Sequence, residues 1–191
     1  MAPRPVLQRR ESRPHRACAA QPTGFIQEYY VEFALQKFGP RDFDDYFRLV
    51  GDARVMAMIT ERAIPLDEAR RDYDKLLAGN AIHPELGQFK ILDAQDGGFV
   101  GLAKLEVAAA DAETAELGYM IQPAYWGRGI AGRVARLLVA KAQAQPALRG
   151  LFAIIDPANL PSRKILLNNQ FVSREFKDFD GLPGEVLERT W

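Results

Sequence analysis

Apolar residues recur along the chain with two different periods, and each period predicts one kind of secondary structure. Apolar positions that alternate with polar ones predict strands at 29–38, 88–92, 99–107 and 114–121. Apolar positions three and four residues apart predict helices at 41–50, 66–78 and 130–145. A short apolar piece at 55–59 favours another helical turn, and Gly79 with Asn80 should end the helix at 66–78.

The last forty residues predict one buried strand, one helix and a closing hairpin. Residues 151–155 are continuously apolar, which is typical of a strand buried on both faces and parallel to its predecessor. Asn159 and Pro161 suit the cap and first turn of a helix ending at residue 167. The hairpin has strands and a turn at 171–179, 185–191 and 180–184. The predicted order is β-α-α-β-β-β-α-β-α-β-β, in a single mixed β-sheet.

Residues 1–24 differ from the rest of the chain in composition. They contain five arginines, one acidic residue and four prolines, and they lack the apolar segment of a secretory signal. Such a segment cannot bury enough apolar surface to fold. We therefore predict a disordered extension at 1–24 and one folded domain at 25–191.

The overall composition argues against several classes of protein. Lys plus Arg and Asp plus Glu are equal at 25 each, so net charge does not favour nucleic acid. No apolar run approaches the ~18 residues of a membrane span. Cys18 is the single cysteine, and with His15 and His83 it gives no metal-ligand spacing. We expect a cytoplasmic protein with no nucleic-acid, membrane or metal partner.

Two glycines, Gly127 and Gly129, lie between the predicted strand 114–121 and the helix 130–145. Glycine has no Cβ, so another group can approach the backbone closely. The first turn of the helix leaves unpaired N–H groups that point at this loop, and such a helix start favours a phosphate or pyrophosphate. We predict an anion site here, although the glycines could also serve a turn without any ligand.

Gly127 to Gly132 also match the dinucleotide-binding pattern G-x-G-x-x-G, and Asp156 ends the next strand where a ribose-binding acid could lie. However, five residues separate the strand from Gly127, whereas that pattern turns directly off its strand. About 60 residues follow Gly132, too few to complete a doubly wound fold. The context therefore disfavours a dinucleotide fold.

The segments 116–119 and 125–131 resemble the RimJ/RimL-like branch of the GNAT superfamily of acyl-CoA-dependent N-acyltransferases. The family motif is Gln/Arg-x-x-Gly-x-Gly/Ala, and this chain has Trp126 in its first position. Asn159 and Ser162 resemble the family's Asn-x-x-Ser segment at the start of a helix. The family usually has Gly before the aromatic that corresponds to Phe171. Because this chain has Gln there, we expect Asn168 or Asn169 to adopt the left-handed conformation that ends the helix.

The resemblance implies a single α/β (α+β mixed) domain, with a central mixed sheet and helices on both faces. It implies that the protein transfers an acetyl group from acetyl-CoA to an amine by direct attack. Residues expected to contact acetyl-CoA are Met120, Ile121, Trp126, Gly127, Arg128, Gly129, Ile130, Ala131, Gly132 and Asn159. A strand N–H near Met120 or Ile121 would bind the oxyanion.

Two residues are predicted to be catalytic. Glu116 is predicted to deprotonate the amine or order a water, although it could equally be an exposed glutamate at a strand end. Ser162 could protonate the thiolate, although capping of a helix explains it as well. Tyr119 is expected in the core or the pocket wall.

The acceptor would be a small-molecule amine or a protein N-terminus, and the protein a monomer or homodimer. An alternative is a degenerate GNAT fold that binds acyl-CoA or a partner protein without catalysis.

Overall fold

The computed structural model describes residues 33–191, so the extension predicted at 1–24 lies outside the described residues. The strands of this part are β1 (Phe33–Lys37), β2 (Gly87–Asp93), β3 (Phe99–Glu106), β4 (Thr114–Ile121), β5 (Gly150–Ile155), β6 (Val172–Phe179) and β7 (Leu182–Thr190). The helices are α1 (Phe43–Val50), α2 (Ala53–Met56), α3 (Leu66–Ile82), α4 (Ile130–Gln143) and α5 (Leu160–Asn168). A 3-10 turn at Pro123–Tyr125 follows β4.

The seven strands form one mixed sheet in the order β1-β2-β3-β4-β5-β7-β6. Neighbouring strands are antiparallel except β4 and β5, which are parallel as predicted. This parallel pair has only three partnered positions, Thr114–Gly150, Ala115–Leu151 and Glu116–Phe152. Beyond them the two strands diverge, and we call the opening between 117–121 and 153–155 the β4–β5 gap.

Each face of the sheet carries a hydrophobic core cluster, which confirms the predicted helices on both faces. The first cluster contains Leu117 of β4 and Val134 and Leu138 of α4. The second contains Leu49 of α1 and Tyr73 of α3. Each large apolar side chain buried in this way contributes about 1.5–3 kcal/mol to the free energy of unfolding. Strand β4 contacts both layers, because Leu117 belongs to the first cluster and Met120 packs against the second.

Two predicted burial patterns are wrong in detail. Ile154 is 39% exposed, so β5 is not buried on both faces. Its side chain faces a cavity that the divergence of β4 and β5 leaves open. The apolar stripe predicted for the helix at 130–145 includes Leu137, yet Leu137 is 37% exposed, because the buried side of α4 is centred nearer Ala135 and Leu138.

Three predicted boundaries also differ from the structure. Helix α3 continues past Gly79 and Asn80 to Ile82, because the Asn80 side chain bonds the backbone of Phe38 and Gln88. Helix α2 lies at Ala53–Met56, where Asp52 caps it, and not at 55–59. The closing turn needs only Asp180 and Gly181, with φ of 54° and 90°, so β7 begins at Leu182. Two residues with positive φ are typical of a tight hairpin.

Gln170 itself adopts the left-handed conformation expected of Asn168 or Asn169, with φ of 65°. The N–H groups of Gln170 and Phe171 donate to the carbonyls of Leu167 and Leu166 at 3.0 and 3.1 Å. These two bonds form a Schellman motif, which places the left-handed residue one position after the cap. Asn169 keeps φ at −96° and instead donates its side-chain N–H to Ile165.

Gly101 allows β3 and the end of β4 to approach each other closely. A Cβ at Gly101 would collide with the Met120 carbonyl oxygen and lie 3.0 Å from the Ile121 Cα. We predict that Gly101→Ala lowers the free energy of unfolding by about 1–3 kcal/mol, since backbone atoms must move. Urea denaturation measures this. The control Gly118→Ala places its Cβ at an ordinary 3.5 Å from Lys104, and equal losses in both variants would contradict the prediction.

Candidate active site

The β4–β5 gap opens into a cavity of about 640 Å³. Its wall includes four residues that the sequence marked as functional, namely Glu116, Met120, Asn159 and Ser162. Ile121 and the loop that carries Gly127 and Gly129 lie outside this wall. The predicted site is therefore split between a cavity and an adjoining glycine loop, joined by the end of β4.

Backbone alternation decides which groups of β4 face the gap. The N–H of Gln122 donates to the Val100 carbonyl at 2.9 Å, so it points to β3. Because successive residues of a strand point to opposite sides, the N–H of Met120 also points to β3 and that of Ile121 points to the gap. The indole N–H of Trp126 donates to the Ile121 carbonyl at 2.7 Å. Trp126 therefore ties the glycine loop to the end of β4.

The glycine loop (residues 126–132) has a backbone conformation that suits the binding of an anion. Gly127 and Gly129 have φ of 74° and 70°, in the left-handed region, and Gly129 is the N-cap of α4. Within residues 33–191, no atom other than the Arg133 guanidinium, at 3.6 Å, would contact a Cβ at either glycine. The first turn of α4 holds no acidic residue. A pyrophosphate fits this helix start, because bare N–H groups and the helix dipole both favour negative charge.

Arg128 adds a positive charge to the glycine loop. Its guanidinium lies 5.4 Å from the centre of the Tyr125 ring, at cation–π distance. This contact places the arginine beside the 3-10 turn.

Asn159 caps α5 as the sequence predicted. Its Oδ1 accepts the N–H of Ser162 at 3.1 Å, which leaves the amide N–H₂ of Asn159 available at the cavity wall. Asp156 accepts the N–H of Ala158 at 2.7 Å, so this carboxylate closes the turn that precedes α5.

An ion pair between the partly exposed Arg163 and the buried Glu185 holds α5 against β7. The Nε of Arg163 donates to both carboxylate oxygens of Glu185 at 2.9 and 3.1 Å, and Glu185 is fully buried. Loss of Arg163 would leave the buried Glu185 carboxylate without its charged partner, which is destabilising. The pair thereby keeps Asn159 and Ser162 at the cavity.

Glu116 belongs to an ion cluster that the sequence analysis missed. Lys104 Nζ donates to Glu116 Oε2 at 2.6 Å and lies 3.3 Å from Glu106 Oε2. Glu106 and Glu116 are directly opposite in the β3–β4 register, and Gln88 Nε2 donates to Glu106 at 3.3 Å. All three charged side chains are about a quarter exposed, at 24–29%. The signal that could have revealed this cluster is the pair of charged residues, Lys104 and Glu106, in the otherwise apolar strand β3.

Tyr119 places its hydroxyl at the cavity wall on the α5 side of the sheet. Its ring packs against the first core cluster, and its hydroxyl is buried with no hydrogen-bond partner among residues 33–191. Burial raises the pKa of Tyr119, and the neighbouring Ser162 hydroxyl opposes this shift. Ser162 also lines this cavity, and its hydroxyl is a polar neighbour of the Tyr119 phenol.

Within the described part of the chain, no cluster of His, Cys, Asp or Glu could hold a metal ion. In the same part, none of the helices combines the length and the apolar character that crossing a membrane demands.

In this fold a parallel strand pair that separates after three positions lies beside a glycine-capped helix. The chain belongs to the GNAT acetyltransferase family, because the family profile of the acetyltransferase (GNAT) domain matches residues 32–172. No curated protein matches the sequence.

Solved structures share this fold at low sequence identity. Spermidine N-acetyltransferase from Vibrio cholerae, in complex with CoA and spermine, is 19% identical with a TM-score of 0.67, over 83% of this chain and 95% of that one. RimL, the ribosomal L7/L12 alpha-N-protein acetyltransferase in complex with CoA, is 12% identical with a TM-score of 0.69, over 84% and 94%. An aminoglycoside acetyltransferase in complex with CoA and kanamycin is 14% identical with a TM-score of 0.67, over 83% and 94%.

We predict that Gly129→Val weakens CoA binding about tenfold or more without unfolding the protein. A β-branched residue at φ of 70° is strained, and its side chain would fill the space that a phosphate needs. Calorimetric titration with CoA measures the effect. The control is Gly97→Val, because Gly97 has φ of 73° and open space around it, far from the loop in sequence. Equal CoA affinity in the two variants would contradict the assignment.

Proposed function

We propose that this protein transfers an acetyl group from acetyl-CoA to a primary amine by direct attack. The observation that carries the proposal is the β4–β5 gap, which lies between a glycine-capped helix start without acidic residues and a cavity lined by carboxylates. Proteins of the same fold were solved with CoA and with spermine or kanamycin, which supports an amine acceptor.

Backbone groups would hold most of the co-substrate. The N–H groups of 127–132, together with Arg128, would bind the pyrophosphate, and the bare backbone of Gly127 would allow it to approach. The Asn159 amide at the cavity wall would bind the pantetheine arm, which runs through the gap. The N–H of Ile121 would donate to the thioester oxygen and to the oxyanion that develops from it.

Glu116 would take the proton that the acceptor ammonium must lose before it attacks. An aliphatic ammonium has a pKa of about 10.4, so at neutral pH almost none of it is the free amine. Glu116 Oε2 is engaged by Lys104, while no hydrogen bond from residues 33–191 reaches its Oε1. That oxygen would accept the proton directly or through a water. Ser162 lies across the gap, where the thiolate leaves.

The charge of the cavity favours a cationic acceptor. Within the described residues its wall contains five carboxylates and two lysines, which are Glu61, Asp72, Glu106, Glu116, Asp156, Lys75 and Lys104. Low-dielectric walls of one charge sign concentrate ligands of the opposite sign. Both small amines and protein N-termini satisfy this requirement.

The finer assignments rest on the sequence. Trp126 and the residues around it support a place in the RimJ/RimL-like branch, and RimL is among the similar structures. We propose a cytoplasmic enzyme whose folded domain spans 25–191, following an extension at 1–24.

The proposed function predicts acetyl transfer to at least one amine in a panel of polyamines, aminoglycosides and peptides with free N-termini. Release of CoA thiol and the mass of the product measure it. A protein that binds acetyl-CoA yet acetylates no member of the panel would contradict catalysis. That outcome would favour the alternative, a degenerate GNAT fold that only binds acyl-CoA or a partner.

We predict that Glu116→Gln lowers kcat about 10²-fold at pH 7, the scale of one positioned general base. The glutamine can still accept from Lys104, so acetyl-CoA affinity should hold. The loss should shrink as pH rises, because the free amine becomes abundant and the base redundant. The control is Glu175→Gln, which alters an exposed pair with Lys177 outside the cavity wall. Unchanged kcat at pH 7 would remove Glu116 from the mechanism.

A further inference from the structure

Lys104 is an amine that the fold itself places in the proposed active site. Its side chain lines the cavity and is 25% exposed. Its Nζ donates to Glu116 Oε2 at 2.6 Å, and Glu116 is the group proposed to take the proton of an acceptor ammonium. Relative to that base, Lys104 therefore occupies the position that the proposed mechanism assigns to an acceptor amine.

A glycine on the neighbouring strand lets the Lys104 side chain pass over β4. Lys104 lies opposite Gly118 in the β3–β4 register. A Cβ at Gly118 would lie 3.5 and 3.6 Å from Cβ and Cδ of Lys104, so the lysine stem packs over the bare backbone of this glycine. Gly118 belongs to the diverging part of β4, because the pairing with β5 ends at Glu116 and Phe152. The Lys104 amine thus lies at the edge of the β4–β5 gap, where the acetyl group is proposed to arrive.

We propose that Lys104 is a self-acetylation site, to whose Nζ the enzyme transfers an acetyl group from acetyl-CoA. This inference rests on the proposed acetyl transfer. Glu116 takes a proton from the Lys104 ammonium, and the nitrogen lone pair then forms a bond to the thioester carbon. As the C–S bond breaks, its electron pair leaves with sulfur. The nitrogen loses a second proton when it becomes an amide, so that one of the two protons ends on the CoA thiol and the other in solvent.

The modification would change the charge at the gap. Acetylation removes the positive charge of Lys104 and its ability to pair with carboxylates. Glu106 and Glu116, which are directly opposite in the register, would then face each other without an ammonium between them. The gap end of the cavity would become more negative by one charge.

The test is incubation of the protein with acetyl-CoA that carries a ¹³C-labelled acetyl group, without any acceptor amine, followed by peptide mass spectrometry. We expect label at Lys104 to accumulate at least about tenfold faster than at Lys75, because only Lys104 is held beside the proposed base. The rate per molecule should not depend on protein concentration. Lys75 is a matched control, since it lines the same cavity and pairs with Asp72 at 2.8 Å, yet is 78% exposed. Acetylation without catalysis would favour this more exposed amine.

Two further measurements connect the label to the active site. Glu116→Gln should slow the labelling of Lys104 about 10²-fold, the scale of a lost general base, and leave that of Lys75 unchanged. An external amine that turns over should protect Lys104, because both acceptors need Glu116 and the same acetyl group.

Three results would overturn the proposal while acetyl transfer to external amines stands. They are labelling of Lys104 no faster than that of Lys75, a rate per molecule that rises with protein concentration, and equal labelling of Lys104 in Glu116→Gln. The first would show that the lysine only pairs with the carboxylates, and the second that one molecule acetylates another. Absence of label at Lys104 together with absence of transfer to any amine of the panel would instead overturn the proposed function, and this step with it.

Discussion

The parallel pairing of β4 and β5 stops after three positions, and the candidate site depends on that interruption. A continuous ladder would consume the backbone groups of β4 and leave no passage through the sheet. Because the pairing stops, the N–H of Ile121 faces the gap, where the proposed mechanism has it donate to a substrate oxygen. Neighbouring elements hold the opening: Trp126 bonds the end of β4, and Arg163 ties α5 to β7.

The two ends of the β4–β5 gap have opposite electrostatic character. At the glycine loop, a helix start with no acidic side chain provides partial positive charge from the backbone. On the opposite side of the sheet, Glu106 and Glu116 flank Lys104 and leave net negative charge. In the proposed reaction, an anionic co-substrate and a cationic acceptor would be drawn to different ends of the gap, and their reacting atoms would meet within it.

Local sequence patterns correctly predicted those features of the structure that depend on neighbouring residues alone. The periods of apolar residues placed the strands and helices, and the left-handed φ of Gly127 and Gly129 agrees with their predicted role in a turn. Asn159 caps its helix for the same local reason.

Features that depend on pairing between distant segments could not be predicted from local patterns. The Lys104–Glu106–Glu116 cluster requires the register of β3 against β4, and the continuation of α3 requires bonds from Asn80 to residues 38 and 88. Gln170 adopts a conformation that sequence statistics assign to glycine, because the two bonds of the Schellman motif outweigh that preference.

In the proposed complex, the amides of the glycine loop hold the pyrophosphate while the thioester end lies in the β4–β5 gap. Titration of the ¹⁵N-labelled protein with CoA, followed by amide NMR shifts, tests it most directly. We predict the largest shifts at the amides of residues 127–132, with a second group at Tyr119, Ile121 and Ile154. Shifts confined to other surfaces, or the absence of shifts at saturating CoA, would contradict it.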